Sequence, residues 1–185
     1  MAPPMSAANR ILVPVVALVA VLYLVAMVVT GALPERRSLI EFQANGVLSM
    51  DPIGITRVTL TSEDGAQVFE RSDGGWTMPE SGAKLDERTA LTLDRAVKFM
   101  HTASPVREFP LAELSDGGLA NYGLQQPVLS IVLETPSGVA LEVDFGDAAR
   151  DGILQYMHVK GADVVQMISR FVSQEWQAVA ESAPQ

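Results

Sequence analysis

Residues 128–145 read VLSIVLETPSGVALEVDF, and this stretch defines the fold more clearly than any other. Two apolar runs, residues 128–134 and 139–145, flank the turn sequence Thr135-Pro136-Ser137-Gly138. The second run alternates with a period of two, which is typical of a half-buried strand. The predicted inner face carries Val139, Leu141, Val143 and Phe145, and the outer face Ala140, Glu142 and Asp144. A connection this short joins antiparallel neighbours, so the sequence predicts an antiparallel hairpin here.

Similar strand-like runs lie on both sides of this hairpin. Residues 55–61 and 66–71 flank the turn sequence Ser62-Glu63-Asp64-Gly65, and residues 76–78 follow a second turn. Residues 153–159 and 164–167 form a further predicted hairpin. Connections of this length exclude parallel crossovers and favour an antiparallel sheet.

Two helices complete the predicted domain. Asp86 is predicted to cap a helix over residues 87–101, and a last helix spans residues 168–180. Their apolar residues recur at spacings of three and four, which predicts one buried stripe on each: Ala90, Leu93, Val97 and Met100, then Ile168, Val172, Trp176 and Val179. Residues 111–123 are predicted to be a loop with a short helical turn. The predicted class is α+β, with antiparallel hairpins and two packed helices, and an arrangement in two related ββ(β)α halves stays open.

An uncharged segment precedes this domain. Residues 11–33 read ILVPVVALVAVLYLVAMVVTGAL, and a helix of about 20 such residues crosses the hydrocarbon core of a bilayer. We therefore predict a tail over residues 1–10, a transmembrane helix over 11–33, a juxtamembrane linker over 34–45 and a folded domain over 46–185. The alternative is a signal peptide cleaved near Thr30-Gly31-Ala32, but its apolar core would be only about 7–15 residues long.

The orientation of this segment rests on few charges. Arg10 on one side and Arg36 with Arg37 on the other give a near tie under the positive-inside rule. A short tail before a large domain fits a signal anchor, so we expect a cytoplasmic tail and an exported domain. The expected location is the bacterial inner membrane, single-pass, with the domain in the periplasm or on the outer face.

The charge balance excludes one class of partner. From Ser38 onward the chain has 10 Lys and Arg against 21 Asp and Glu. Nucleic-acid binding depends on cations that neutralise phosphates, so an acidic domain does not favour it. The chain contains no cysteine, which removes disulfides, thiol nucleophiles and thiolate metal sites.

No residue set predicts a reaction. His101 and His158 are the only histidines, far apart and without metal-ligand spacing. The acidic residues Asp144, Asp147 and Asp151 lack the rhythm of a calcium loop, and a solvated turn explains them better. Phosphate-binding glycine loops and the G-x-S-x-G nucleophile motif are absent from the sequence. We therefore assign no catalytic, cofactor-binding or metal-binding residue and expect no enzyme activity.

Several short motifs, in order, resemble a known family. They are Gly75-Trp76, residues 119–127 reading LANYGLQQP, Phe145-Gly146-Asp147 and a strand centred on Tyr156. Together they resemble the domain of unknown function 4340 family over roughly residues 50–180. This resemblance implies an exported, membrane-anchored protein, and some members are similar to auxiliary components of ABC transporters of the gliding-motility type. The family has no established catalytic residues to carry over.

The same motifs also have a structural explanation. Gly123 permits a positive φ, Tyr122 can bury its ring, and Pro127 can precede a strand without a donor. Trp76 beside its Gly-Gly turn is predicted to fill the core rather than to form a ligand platform.

Three functions remain as hypotheses. The first is a non-enzymatic accessory or scaffold subunit bound to an integral membrane protein complex, with sheet edges and the anchor helix as contact surfaces; Ala17, Ala20 and Ala26 would allow close helix approach. The second is an exported binding module for a small molecule, glycan or lipid, which requires a concave pocket with convergent polar groups. The third is a hydrolase, which requires clustered ionisable groups in a cleft.

Overall fold

The computed structural model describes residues 7–29 and 45–184, which belong to two separate compact units. The N-terminal unit contains α1, Ala7–Val29, with Pro14 inside it. Within the part of the chain that the structure describes, no helix has the length and hydropathy that a membrane span requires. Residues 30–33 of the predicted span, the start of the predicted tail and all but the last residue of the predicted linker lie outside the described residues.

The C-terminal unit is an antiparallel nine-stranded sheet with two helices, which confirms the predicted α+β class. Its elements, in chain order, are β1 (Arg57–Ser62), β2 (Gly65–Ser72), β3 (Gly75–Met78), β4 (Ala83–Lys84), α2 (Glu87–Thr102), β5 (Arg107–Pro110), β6 (Leu129–Thr135), β7 (Gly138–Ala148), β8 (Leu154–Val159), β9 (Val164–Ser169) and α3 (Arg170–Ser182). Short 3-10 helices occur at Pro52–Gly54, Leu111–Glu113 and Gly118–Tyr122.

The strands follow the order β4-β3-β2-β1-β6-β7-β8-β9-β5 across the sheet. Strands β1 to β4 form one meander followed by α2, and β6 to β9 form a second meander followed by α3. The first strand of each meander pairs with the other at the centre, with Leu60 opposite Ile131. The structure therefore has two successive ββββα arrangements, joined by the β1–β6 pair.

Both helices cover one face of the sheet. Asp86 caps α2 as predicted, because its carboxylate accepts the backbone N–H groups of Arg88 and Thr89. The helices lie side by side, with Phe99 and Phe171 in edge-to-face contact at a centroid distance of 5.3 Å. The buried core comprises, among others, Val58, Leu60, Phe69, Leu93, Val97, Met100, Ile131, Leu133, Val143, Phe145, Val172, Trp176 and Val179.

Three details of the sequence prediction are wrong. Ile168 is the fifth residue of β9, and α3 begins only at Arg170. A bulge in the β6–β7 pair places Leu133 opposite Leu141 but Glu134 opposite Val139, so one extra residue shifts the alternation. Val139 is consequently 62% exposed instead of lying on the buried face. Strands β4 and β5 were not predicted, because β4 has only two residues and β5 follows Pro105 and ends at Pro110.

Candidate functional site

A groove of about 560 Å³ in the domain carries convergent polar groups. We call it the α2 groove. Three separate segments form it: the first 3-10 helix, the end of β2, and the exposed side of α2. The residues lining it are Asp51, Pro52, Ile53, Arg71, Asp94, Lys98 and His101.

The back of the groove is held by a shared carboxylate. Asp94 Oδ1 accepts a hydrogen bond from Arg71 Nη2 at 2.6 Å and another from Trp76 Nε1 at 2.9 Å. The Arg71 guanidinium also lies 4.4 Å above the Trp76 ring and donates through Nε to the carbonyl of Ile55. The position of Arg71 is therefore fixed from several directions.

The mouth of the groove is apolar on one side and basic on the other. Ile53 is 77% exposed on a turn capped by Asp51, whose Oδ1 accepts the Ile53 N–H at 2.9 Å. His101 Nδ1 lies 2.9 Å from the carbonyl of Leu48, and because a carbonyl only accepts, Nδ1 is the donor. Lys98 is exposed, and among the ion pairs of the described residues none involves it.

Chemically, the α2 groove offers two positive charges, two carboxylates and one imidazole beside an apolar wall. Such a set can bind a small polar or zwitterionic molecule through charge-assisted hydrogen bonds. Arg71, Asp94 and Lys98 were not identified from the sequence. The available signal was the spacing of Asp94, Lys98 and His101 on one side of the predicted helix, next to its apolar stripe.

The two histidines lie in different places. His101 is in the α2 groove, whereas His158 belongs to β8, where its Nε2 lies 3.0 Å from the carbonyl of Ala162. Among the described residues, no group of three or more His, Asp or Glu side chains is arranged to hold a metal ion.

The acidic residues considered for calcium are engaged separately. Asp144 is buried, forms an ion pair with Lys160 and accepts the Ser130 hydroxyl at 2.7 Å. Asp151 caps the β7–β8 turn by accepting the N–H groups of Ile153 and Leu154. These backbone hydrogen bonds, above all that of Leu154, hold the pKa of the Asp151 carboxyl below its usual range.

Three of the four motifs behind the family resemblance meet at one place on the sheet, whereas Gly75-Trp76 lies in β3. The Tyr122 and Tyr156 rings make an edge-to-face contact at 4.7 Å. Gly123 has a φ of +68°, as expected, and a Cβ placed there would lie 2.6 Å from Asp147. At Gly146 a Cβ would lie 2.1 Å from the Tyr122 carbonyl. The glycines therefore permit close backbone packing, which is a structural use of these motifs.

A second surface is the sheet face that points away from the helices, over the central strands. Here Thr59 pairs with Val68 on one side and Val132 on the other, and all three are half-buried. In the neighbouring row Arg57 pairs with Glu70 and Glu134. We call this surface, made of the residues of β2, β1, β6 and β7 that point away from the helices, the open sheet face.

Comparison with known proteins gives no relative. No family model matches the chain, and no curated protein and no solved structure matches it either. The resemblance to the domain of unknown function 4340 family thus stays a prediction from the motifs.

Proposed function

We propose that this chain is a membrane-anchored, non-enzymatic accessory or scaffold subunit whose folded domain binds an integral membrane protein. The observation that carries the proposal is the open sheet face. The anchor is proposed from the uncharged residues 11–33, with the domain exported and the protein in the bacterial inner membrane. The two successive ββββα arrangements are proposed to be related halves.

The open sheet face suits a partner better than the sheet edges do. Strand β4 has two residues, and β5 contains Pro110, which has no N–H to donate to an added strand. Strand addition requires a longer free edge. The open sheet face instead combines a half-apolar row around Thr59 with an alternating charge row around Arg57, which can select a complementary surface.

Tethering makes a modest interface sufficient. A domain held at a membrane meets other proteins of that membrane at a high effective concentration. The resemblance described above supports a transporter-associated complex of the gliding-motility type as the partner. We propose no reaction for this chain because its sequence contains no catalytic motif.

The proposal is tested by site-specific photocrosslinking in cells that express the full chain. A photoreactive residue in place of Val132 samples the open sheet face, and one in place of Leu91, which is 59% exposed on α2, is the matched control. We expect an adduct with a membrane protein from position 132, lost when Arg57→Glu is added. Equal adducts from both positions, or none from position 132, would contradict the proposed surface.

The anchor is tested separately. A periplasm-specific reporter after Gln185 should be active, and the chain should remain in the membrane after alkaline extraction. A mature chain that begins just after Ala32 and appears in the aqueous fraction would refute the anchor.

The α2 groove favours a second function, an exported binding module. Its fixed Arg71 would hold an anionic group of a small molecule, glycan or lipid together with Lys98, which forms no ion pair within the described residues. Ligand-dependent thermal stabilisation of the chain, lost in Lys98→Ala but kept in Lys84→Ala, would support this function. If a ligand raises the melting temperature of Lys98→Ala and Lys84→Ala equally, the α2 groove is not the binding site.

A further inference from the structure

Three large apolar side chains are exposed at one end of the domain. Val106, Ile153 and Phe171 are 61%, 68% and 50% exposed. Backbone hydrogen bonds connect their segments: Val106 N–H donates to Met167 in β9, and Arg170 N–H donates to Ile153, both at 2.8 Å. These side chains therefore form a group at one end of the sheet. Such a group differs from the single exposed apolar residues that occur on any protein surface.

Arginines accompany these apolar residues. Arg107 follows Val106, Arg170 precedes Phe171, and Arg150 lies in the turn before Ile153; all three are exposed. Within the described residues, none of the three has a carboxylate oxygen within 4 Å. We call these three arginines, with Val106, Ile153 and Phe171, the arginine end.

The local charge differs from that of the whole domain. Residues 45–184 contain 10 Lys and Arg against 20 Asp and Glu. At the arginine end the nearby carboxylates include Asp151, which accepts two backbone N–H groups and interacts electrostatically with Arg107, and Glu108, which accepts Gln166 Nε2 at 2.8 Å. Exposed Asp147 also lies three residues before Arg150. Asp151 and Glu108 are already hydrogen-bonded and the three arginines form no ion pair within the described residues, so this end is suited to an anionic surface.

The start of the described domain lies close to this end. The Asn45 carbonyl accepts the Ser104 hydroxyl at 3.1 Å, and Gly46 N–H donates to His101 at 2.9 Å. Ser104 is two residues before Val106. Asn45, the first described residue of the domain, therefore lies beside the arginine end.

We propose that the arginine end docks onto the surface of a bilayer that contains anionic phospholipids. Val106, Ile153 and Phe171 enter the headgroup region, and the arginines bind lipid phosphates while their apolar stems stay at the interface. This inference rests on the proposed membrane anchor, because three arginines alone give a weak, reversible attraction that tethering strengthens. Docking of this end leaves the open sheet face accessible to a protein partner.

The test uses the full chain, in which any introduced cysteine is unique. Ile153→Cys carries an environment-sensitive fluorophore at the arginine end. Val139→Cys carries it at the opposite end of β7 and is similarly exposed, at 62%. Both proteins are reconstituted in vesicles of phosphatidylcholine alone or mixed with phosphatidylglycerol. Circular dichroism checks that both are folded.

With phosphatidylglycerol we expect the fluorescence at position 153 to rise about twofold or more, and high salt to reverse the rise. Position 139 should not respond, and Arg107→Gln with Arg170→Gln should abolish the response at 153. Equal signals from both positions, or a rise that does not depend on phosphatidylglycerol, would overturn the proposal. A rise in native membranes but not in protein-free vesicles would also overturn it and indicate a protein occupant.

Vesicle flotation of the same samples separates this inference from the proposed anchor. A chain that floats without a fluorescence response refutes only lipid docking. A chain that does not float in either vesicle refutes the anchor, and lipid docking with it.

Discussion

The Asp94 carboxylate joins Arg71 and the core of the domain, because the oxygen that lies 2.6 Å from Arg71 Nη2 also accepts the indole N–H of buried Trp76. The Asp94 side chain is 44% exposed, so water screens its ion pair, and we expect the hydrogen bond to Trp76 to contribute more to stability.

Asp94→Ala should therefore lower the free energy of unfolding by about 1–3 kcal/mol, because it leaves a buried indole N–H without an acceptor. Asp94→Asn retains an acceptor oxygen and should lower the free energy of unfolding clearly less. Urea unfolding followed by tryptophan fluorescence measures both, since both tryptophans lie in the folded domain. Equal losses in the two variants would contradict the dominant role of the Trp76 contact.

Gly123 and Gly152 provide a matched pair with φ values of +68° and +69°. A Cβ added at Gly152 would meet no atom within 4 Å, so Gly152→Ala should cost only the left-handed strain, about 1–2 kcal/mol. Gly123→Ala adds a clash with the Asp147 backbone nitrogen at 2.7 Å and should cost at least about 1 kcal/mol more. Chemical unfolding of both variants measures the difference in the free energy of unfolding. Similar losses in the two variants would mean that the contact between Gly123 and Asp147 can relax.

Two ion pairs of the sheet should differ in their effect on stability. Asp144 is 3% exposed, and Asp144→Ala removes the acceptor of Ser130 and the partner of Lys160, so we expect a loss of about 1–3 kcal/mol. Arg57 is exposed between Glu70 and Glu134, so water screens its ion pairs and Arg57→Ala should lower the free energy of unfolding clearly less than Asp144→Ala does. Thermal unfolding at low and high salt measures the stability of both variants. A larger loss of stability in Arg57→Ala than in Asp144→Ala would contradict this prediction.

The cap of α2 should make stability depend on pH. The hydroxyl of Thr89, followed by the backbone N–H groups of Thr89 and Arg88, holds the pKa of Asp86 below its usual range. A lowered pKa in the folded state contributes stability above the unfolded pKa, and this contribution is lost as the pH falls through the folded value. Asp86→Asn keeps an acceptor but does not titrate.

The difference in melting temperature between the parent chain and Asp86→Asn should therefore be largest near neutral pH and shrink below about pH 4. Thermal melts across this range measure it. A difference that stays constant as the pH falls would show that the charge of Asp86 does not stabilise the cap.

The periodic parts of the sequence predicted the sheet well. The hairpin at residues 128–145 and the capped helix after Asp86 depend on local patterns, which the chain itself carries. The exposure of Val139 could not be predicted, because a bulge depends on the register with β6. Ile168 satisfied a helical spacing by chance, and pairing with Gln155 in β8 places it in a strand instead.

The α2 groove as a whole could not be predicted from the sequence for a different reason, although the spacing of Asp94, Lys98 and His101 indicated its α2 side. Asp51, Arg71 and Asp94 lie on three separate segments, and only the folded chain brings them together. The arginine end likewise depends on the meeting of β5, the β7–β8 turn and the start of α3. By contrast, the core position of Trp76 was predicted and is confirmed, since this side chain is 1% exposed.

The short outer strands have a consequence for the proposed anchored state, in which copies of the protein would share one plane. Two-dimensional crowding brings neighbouring copies edge to edge, where long unpaired strands would join into continuous sheets. With two residues in β4 and a proline at the end of β5, neither border offers a template of useful length. Neither outer strand therefore favours edge-to-edge joining of neighbouring copies.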